Sequence, residues 1–489
     1  MKDKKKNLVL IIADQLRFDF LHKGFTPTID EFFDSSLEFT SMYCSSPLCV
    51  PARASLFTGT FPSRNKSLIN PWKGPDKGYG LVKEGLPNLY QIMENANYDC
   101  FHTGKQHLYL EEGQPEEDEK SKTHWLSTEK TYRSFLKEKG YPRPGGERYR
   151  TVCPKLLSCN KTIATSYSNA KTGCYKGPKG AYFDEYFTSC LKEGIKDRDF
   201  DKPLFLSCMY LAPHPPLCIP EPYYSMYKTT DVKVSENVGK WYEKQSPLQL
   251  YQITGAVGNG YEKSEWAETW RVYAGLCTLL DDQVKEILDY LKESGSYEDS
   301  LIIISSDHGE MLGSHSLFQK MCMYEESVKL PFAIKLPNST SKGKVDGLCS
   351  QLDILPTILD SLGLKIPNTV EGKSLMPLIN KTQEEINSEV FIQFDGTDYL
   401  GNFSRCIVDK RYKLVLDIFK DEIFIELYDR EKDLFETNNL AFDEKYAKEF
   451  ERLLALLIKH CEETEDIVDI KNYDFKAVKE AYSKIWGSI

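Results

Sequence analysis

The sequence predicts an α/β fold: a large, mostly parallel sheet sandwiched by helices, with a smaller C-terminal α+β subdomain that has an antiparallel sheet. Three observations predict it. First, Asn7–Gln15 (NLVLIIADQ), Lys202–His214 (KPLFLSCMYLAPH) and Ser300–Glu310 (SLIIISSDHGE) are apolar runs that each end in polar residues. A strand covered on both faces reads this way, and the carboxyl ends of such strands are where α/β folds collect their chemistry. Second, helical patterns lie between these runs. Third, past Pro377 the sequence turns to apolar–polar alternation.

Taken in order, Asn7–Gln15 opens the sheet. Pro87–Tyr98 (PNLYQIMENANY) begins with a proline, reads as a helix, and leads into the strand-like DCFHTGKQH. Residues from about 110 to 200 are polar and lack a long apolar run. A second irregular stretch covers about 220 to 262. Both are expected to be surface insertions of the kind that carry specificity. Tyr273, Leu276, Cys277, Leu280, Val284, Ile287, Leu288 and Leu291 recur at three- and four-residue steps, an amphipathic helix just before the Ser300 strand. The β-α-β-α order suits a parallel sheet with helices on both faces. Phe391–Asp429 alternates like antiparallel strands, and a helix over Tyr446–Leu457 follows, with Phe450, Leu453, Leu454 and Leu457 on one face. A boundary is expected near 380, giving parts 1–380 and 381–489.

Composition limits the function. The chain has 489 residues, 41% hydrophobic and 28% charged, as in ordinary soluble enzymes. A net charge of −11 disfavours nucleic-acid binding, which needs a basic face. The apolar run LVLIIA after the basic MKDKKK is too short for a signal-peptide core or a membrane span. The expected location is the cytoplasm, with no membrane partner. The 14 cysteines run from Cys44 to Cys461 without a C-x-x-C pair, so zinc-type spacing is absent and most thiols are expected to be reduced and structural.

Several residues could carry chemistry. Asp14 and Asp307-His308 stand at strand ends, where carboxylates suit a divalent cation; a helix cap and a turn before Gly309 are the plainer reading. Lys105 and His107 in GKQH are two apart, and on an extended segment they face the same side. His214 in APHPP is held between prolines that fix the backbone. Lys320, in HSLFQKMCMYEES, reads more readily as a solvated side chain than a catalytic one. Of eight histidines, His107, His214 and His308 all fall at predicted strand ends. Cys49 in CVPARASLFTG (Cys49–Gly59) is open to four readings: buried thiol, metal ligand, nucleophile, or the precursor of another group.

CVPARASLFTG resembles the C-x-P-x-R signature of the type I sulfatases, in the alkaline phosphatase superfamily. The resemblance covers nearly the whole chain. It includes IIADQLRFD, Cys49, Pro51 and Arg53, GKQHL, PHPP, SSDHGEMLGSHSLFQK with YEESVKLP, and ELYDREKDLFETNNLA at Glu426–Ala441. It implies that Cys49 is oxidised to Cα-formylglycine by a formylglycine-generating enzyme or a radical maturase, with Pro51 and Arg53 partly serving recognition by that enzyme. It implies sulfate ester hydrolysis through the hydrated aldehyde and a covalent sulfo-enzyme intermediate. A divalent ion would sit among Asp14, Gln15, residue 49, Asp307 and His308. Arg53 and Lys105 would offset anionic charge, His107 would take the proton of the second hydroxyl, and His214 with Lys320 would serve the leaving alcohol.

Two positions depart from the commonest family pattern: Gln15 replaces a second acid, and His308 replaces Asn. They make the metal shell less anionic and slightly softer: Ca2+ leads because the family resemblance implies it, while the imidazole makes Mn2+ the second candidate, with Mg2+ after it. The same pair occurs in relatives that hydrolyse phosphonate monoesters and phosphodiesters, which is the alternative function. An unmodified homologue that only binds anions is a third. The expected substrate is a small-molecule or saccharide sulfate ester, and the tyrosine-rich insertions suit stacking on a sugar ring.

Overall fold

The computed structural model describes residues 6–72, 75–229 and 232–486, so all of the basic MKDKKK start except Lys6 lies outside the described residues. Eight strands form the central sheet: β1 (Asn7–Asp14), β2 (Leu37–Phe39), β3 (Asp99–Gly104), β4 (His124–Ser127), β5 (Leu204–Pro213), β6 (Ser300–Ser306), β7 (Phe332–Lys335) and β8 (Gly343–Val345). Their order is β8-β2-β7-β6-β1-β5-β3-β4. The five neighbours from β6 to β4 run parallel, and β7 pairs antiparallel with both β6 and β2. Every residue of β1, β5 and β6 is buried, which is why these strands are mostly apolar.

Two helices matter most for position. α1 (Cys49–Thr58) is buried along its whole length. Pro51 falls in its first turn, where no intrahelical N–H is needed, and Gly59 ends it at φ 65° with its N–H on the Ser55 carbonyl at 2.8 Å. α2 (Lys263–Glu293) is longer than the Tyr273–Leu291 pattern predicts, because its first turns are amphipathic through Trp266 and Trp270, both buried.

The stretch from 110 to 200 is more regular than the sequence predicts. It adds β4 to the sheet edge and contains helices Glu129–Lys139 and Phe183–Gly194 and a hairpin of Arg150–Leu156 with Thr162–Ser168. An edge strand of four residues and a hairpin with half its side chains toward water need no long apolar run. Among the described residues, 220–262 holds only short helical turns.

The C-terminal antiparallel sheet has strands Glu389–Phe394, Asn402–Asp409, Tyr412–Phe419 and Glu422–Asp429 in sequence order. One face packs on α3 (Ala447–Glu463) through Leu414, Leu416, Phe450, Leu453 and Leu457, while Val390, Ile392 and Phe394 join the main core. Arg405 clamps this region: its Nη2 lies 2.6 Å from both Asp395 and Asp466, all buried. Arg405→Met leaves two buried carboxylates unpaired and is expected to cost about 3–5 kcal/mol, read as an earlier urea unfolding midpoint.

Candidate active site

Sheet register brings the site together. β1 pairs with β6 up to Ala13 opposite Ser306, so Asp14 and Asp307 emerge side by side, and Asp307 N donates to the Ala13 carbonyl at 3.2 Å. On the other flank, a shift in the β1–β5 pairing sets Asp14 opposite Pro213, so His214 leaves the same sheet edge. The buried carboxylate of Asp184 fixes that end of β5, accepting from Leu211 N at 2.7 Å and Ala212 N at 2.9 Å.

Cys49 opens α1 over this edge. Its Sγ lies 3.1 Å from His308 Nε2 and 3.8 Å from Asp14 Oδ1. One ligand atom from each of Asp14, Cys49, Asp307 and His308 falls within 4.8 Å of all the others, and all four residues are buried. His308 Nδ1 donates to the Gly309 carbonyl at 3.0 Å, which leaves Nε2 free to face the cluster. Two carboxylates, an inward imidazole and the Cys49 sulfur make a donor set that could hold a divalent cation.

Two cations pair with the two carboxylates, and a third lies on the neighbouring Gln15. Arg53 Nε donates to Asp307 Oδ2 at 2.8 Å and Nη2 to Asp14 Oδ2 at 3.3 Å, while Nη1 reaches the Lys105 carbonyl. Lys105 Nζ pairs with Asp14 Oδ2 and lies 3.9 Å from Cys49 Sγ. Lys320 Nζ donates to Gln15 Oε1, and Gln15 Nε2 donates to Glu310. Gln15 itself has φ 71°, an uncommon backbone for a non-glycine residue at a site.

The charges answer one another. Burial alone would raise the Cys49 thiol, yet Lys105, Lys320 and His308 hold it well below its ordinary value. Burial also opposes ionisation of Asp14, which Lys105, His214 and Arg53 nevertheless keep lowered. Glu310 is pushed up to about 7 by burial, and Lys320 pulls against that rise. His214 lies below its usual value through burial and the nearby Lys320 and Lys105. Its Nδ1 donates to the Pro215 carbonyl.

Two expectations need correction. Lys320 is not a solvated side chain; it is 3% exposed and spans toward Gln15, because Gln319 N and Leu312 N both donate to Glu310 and fold its loop inward. The GKQH segment is not extended: β3 stops at Gly104 and His107 sits at φ 49°, so a turn rather than strand alternation aims its ring.

His107 Nε2 bonds Glu129 at 2.9 Å, and its buried Nδ1 has no hydrogen-bond partner among the described residues. Glu129 is held down at about 2, burial being overcome by His107. Sequence reasoning misses Glu129, although Thr128 caps its helix in a box with Thr131, a start signal visible in STEKT. It also misses Glu310, Asp184 and Trp72. The Trp72 ring, 40% exposed, sits edge-on to His107 at 5.0 Å and to Tyr109 at 5.3 Å. A cavity of about 380 Å³ opens beside His107, lined by Gln106, Tyr109, Glu116, Glu129 and Arg133 among others.

The "Sulfatase" family model matches residues 6–364, and the model for the C-terminal part of N-sulphoglucosamine sulphohydrolase matches 313–463. An arylsulfatase of Clostridium perfringens (strain 13 / Type A) is 28% identical over 94% of this chain and 95% of its own. Among solved structures, a phosphonate monoester hydrolase of Silicibacter pomeroyi superposes with TM-score 0.75 at 22% identity, covering 95% of this chain and 96% of that one. A protein solved with its substrate D-glucosamine-2-N,6-O-disulfate gives TM-score 0.72 at 18% identity, covering 96% and 100%.

Proposed function

The chain belongs to the sulfatase family and hydrolyses sulfate esters, and we propose that its ester is a saccharide O-sulfate cleaved through a formylglycine made from Cys49. The observation that carries this reading is the convergence of Asp14, Cys49, Asp307 and His308 within 4.8 Å, with Arg53, Lys105 and Lys320 on the same spot. A surplus of cations there suits an anionic ester. The saccharide is supported by the glucosamine disulfate bound to the structural relative and by the exposed Trp72 at the rim.

Asp14, Asp307 and His308 would hold a divalent cation, Ca2+ first and Mn2+ or Mg2+ next; Gln15, whose Oε1 accepts from Lys320, would have to turn to join them. When bound, that ion polarises sulfate oxygens and favours the ionised form of a nearby hydroxyl. Arg53 keeps both carboxylates in place, and Lys105 holds Asp14 while facing residue 49. His107 is built to move a proton: Nδ1 is unpartnered, and Glu129 on Nε2 stabilises the imidazolium that forms. His214 and Lys320 both lie near residue 49 and would serve the departing alcohol; Lys320 brings the charge and His214 a ring set by Pro215.

Intact-mass and peptide analysis around Cys49, followed by a panel of saccharide sulfates, aryl sulfates and phenyl phosphonates, tests this reading. Loss of the thiol with preferred turnover of a saccharide sulfate is expected. Preferred turnover of the phosphonate would move the chain to the second reading, which Gln15 and His308 favour.

Two further results are expected. Chelation abolishes turnover, added Ca2+ or Mn2+ restores it, and elemental analysis finds one divalent ion per chain. Glu129→Gln lowers kcat about ten- to a hundredfold with little change in KM, because it leaves His107 in place but removes the charge behind it.

A further inference from the structure

We propose that Lys155, Tyr167 and Asp398 form a subsite that reads two neighbouring hydroxyls of the sugar carrying the sulfate. This rests on the sulfate-ester reading above and names what selects the alcohol half.

Lys155 stands on the hairpin strand Arg150–Leu156 and is only 4% exposed. Its Nζ donates to Thr397 Oγ1 at 2.6 Å, lies over the Tyr399 ring at 5.7 Å, and reaches no carboxylate within ion-pair distance among the described residues. A buried ammonium with one neutral partner has N–H bonds left to give, and leaving them ungiven is costly. Burial pulls this amine down to about 8, with Asp398 opposing. Tyr167 OH donates to Asp398 Oδ2 at 2.9 Å, which leaves the other carboxylate oxygen to accept. Spare donors on Lys155 and a spare acceptor on Asp398, close together and of opposite charge, match a pair of vicinal hydroxyls. They do not match a bare aromatic ring.

The subsite is tied to the reacting centre on two sides. Asn70 N donates to the Thr397 carbonyl at 2.8 Å, and Asn70 Oδ1 accepts from Val50 N, next to Cys49, at 3.4 Å. Gln319, next to Lys320, donates through Nε2 to the Ser168 carbonyl at 2.7 Å, and Ser168 follows Tyr167. Two residues beyond Asn70, Trp72 rests on His107. The hairpin and the loop 395–401 are therefore linked to both the Cys49 helix and the Lys320 loop.

The loop is also rigid. Asp395 is clamped by Arg405, Gly401 N donates to the Asp395 carbonyl at 3.2 Å, and Gly396 at φ 125° has no room for a side chain beneath the Tyr399 carbonyl. Rigid placement of donor and acceptor is what a selective polar subsite requires.

The test uses the full-length, modified enzyme with p-nitrophenyl sulfate and two monosaccharide sulfates, glucosamine 6-O-sulfate and galactosamine 4-O-sulfate. Lys155→Met and Asp398→Asn are each expected to lower the ratio of kcat/KM for the better sugar to that for the aryl ester by at least about tenfold, mainly through KM. A fall of both substrates by one factor, or an unmoved ratio in both variants, overturns the subsite. So does wild-type enzyme that cleaves the aryl ester and neither sugar. Asp398→Asn keeps shape and hydrogen-bond length, so it reports even if Lys155→Met fails to fold. Failure of the parent reading looks different: modified wild-type enzyme would then cleave no sulfate ester at all.

Discussion

Cys49→Ala is expected to remove turnover of every sulfate ester, a fall of at least about 10³-fold, while the melting temperature stays close to that of the parent. The substitution deletes one sulfur from a helix whose ten residues are all buried, so the fold loses little. Chemistry loses the side chain whose sulfur lies within 4.8 Å of ligand atoms of Asp14, Asp307 and His308. Asp14→Asn and Asp307→Asn should approach the same loss by a different route. Each removes a charge from the donor set and also releases Arg53, and Asp14→Asn releases Lys105 as well. Metal content separates the cases: Cys49→Ala should retain more of the bound ion than either Asp variant. Full activity in protein whose residue 49 is still a thiol would refute the formylglycine route.

The second large effect divides His214 from His107 by step. His214→Ala is expected to slow esters of poorly acidic alcohols by about a hundredfold to ten-thousandfold and esters of acidic phenols far less. An alkoxide needs a proton as it leaves, whereas a phenolate departs without much help. His107→Ala should spare the release of alcohol and slow the release of sulfate. Rapid mixing should then show a burst of alcohol near one equivalent per modified site, followed by slow turnover. Equal losses across all leaving groups in both variants, with no burst, would reduce the two rings to substrate-orienting groups.

The parts of this molecule that were readable from sequence are those where one physical demand dominates. β1, β5 and β6 are mostly apolar because both faces are covered, and their polar ends point to Asp14, His214 and Asp307-His308. The C-terminal alternation is equally plain, since one sheet face meets α3 and the other the main core. Glu129 and the hairpin were not readable, for the opposite reason. Their roles depend on meeting His107 and Thr397 across the fold, and a polar stretch gives no sign of which polar groups will meet. Lys320 was misjudged because the backbone amides that fold its loop around Glu310 leave no mark in composition. Strand alternation does not describe His107, whose ring is aimed by a turn after Gly104.

The burial of α1 also sets an order of events in the life of the chain. All ten residues of this helix are covered, and Cys49 itself is 3% exposed. Arg53 is wholly enclosed between Asp14 and Asp307. An enzyme that oxidises Cys49 while gripping Pro51 and Arg53 cannot do so on the finished fold. The oxidation proposed for Cys49 would have to reach this segment while it is still extended, during synthesis or before the helix docks, or during a rare opening. A chain that folds first locks its own thiol away. Co-expression of the maturation enzyme is therefore expected to yield more modified protein than later treatment of the purified, folded form.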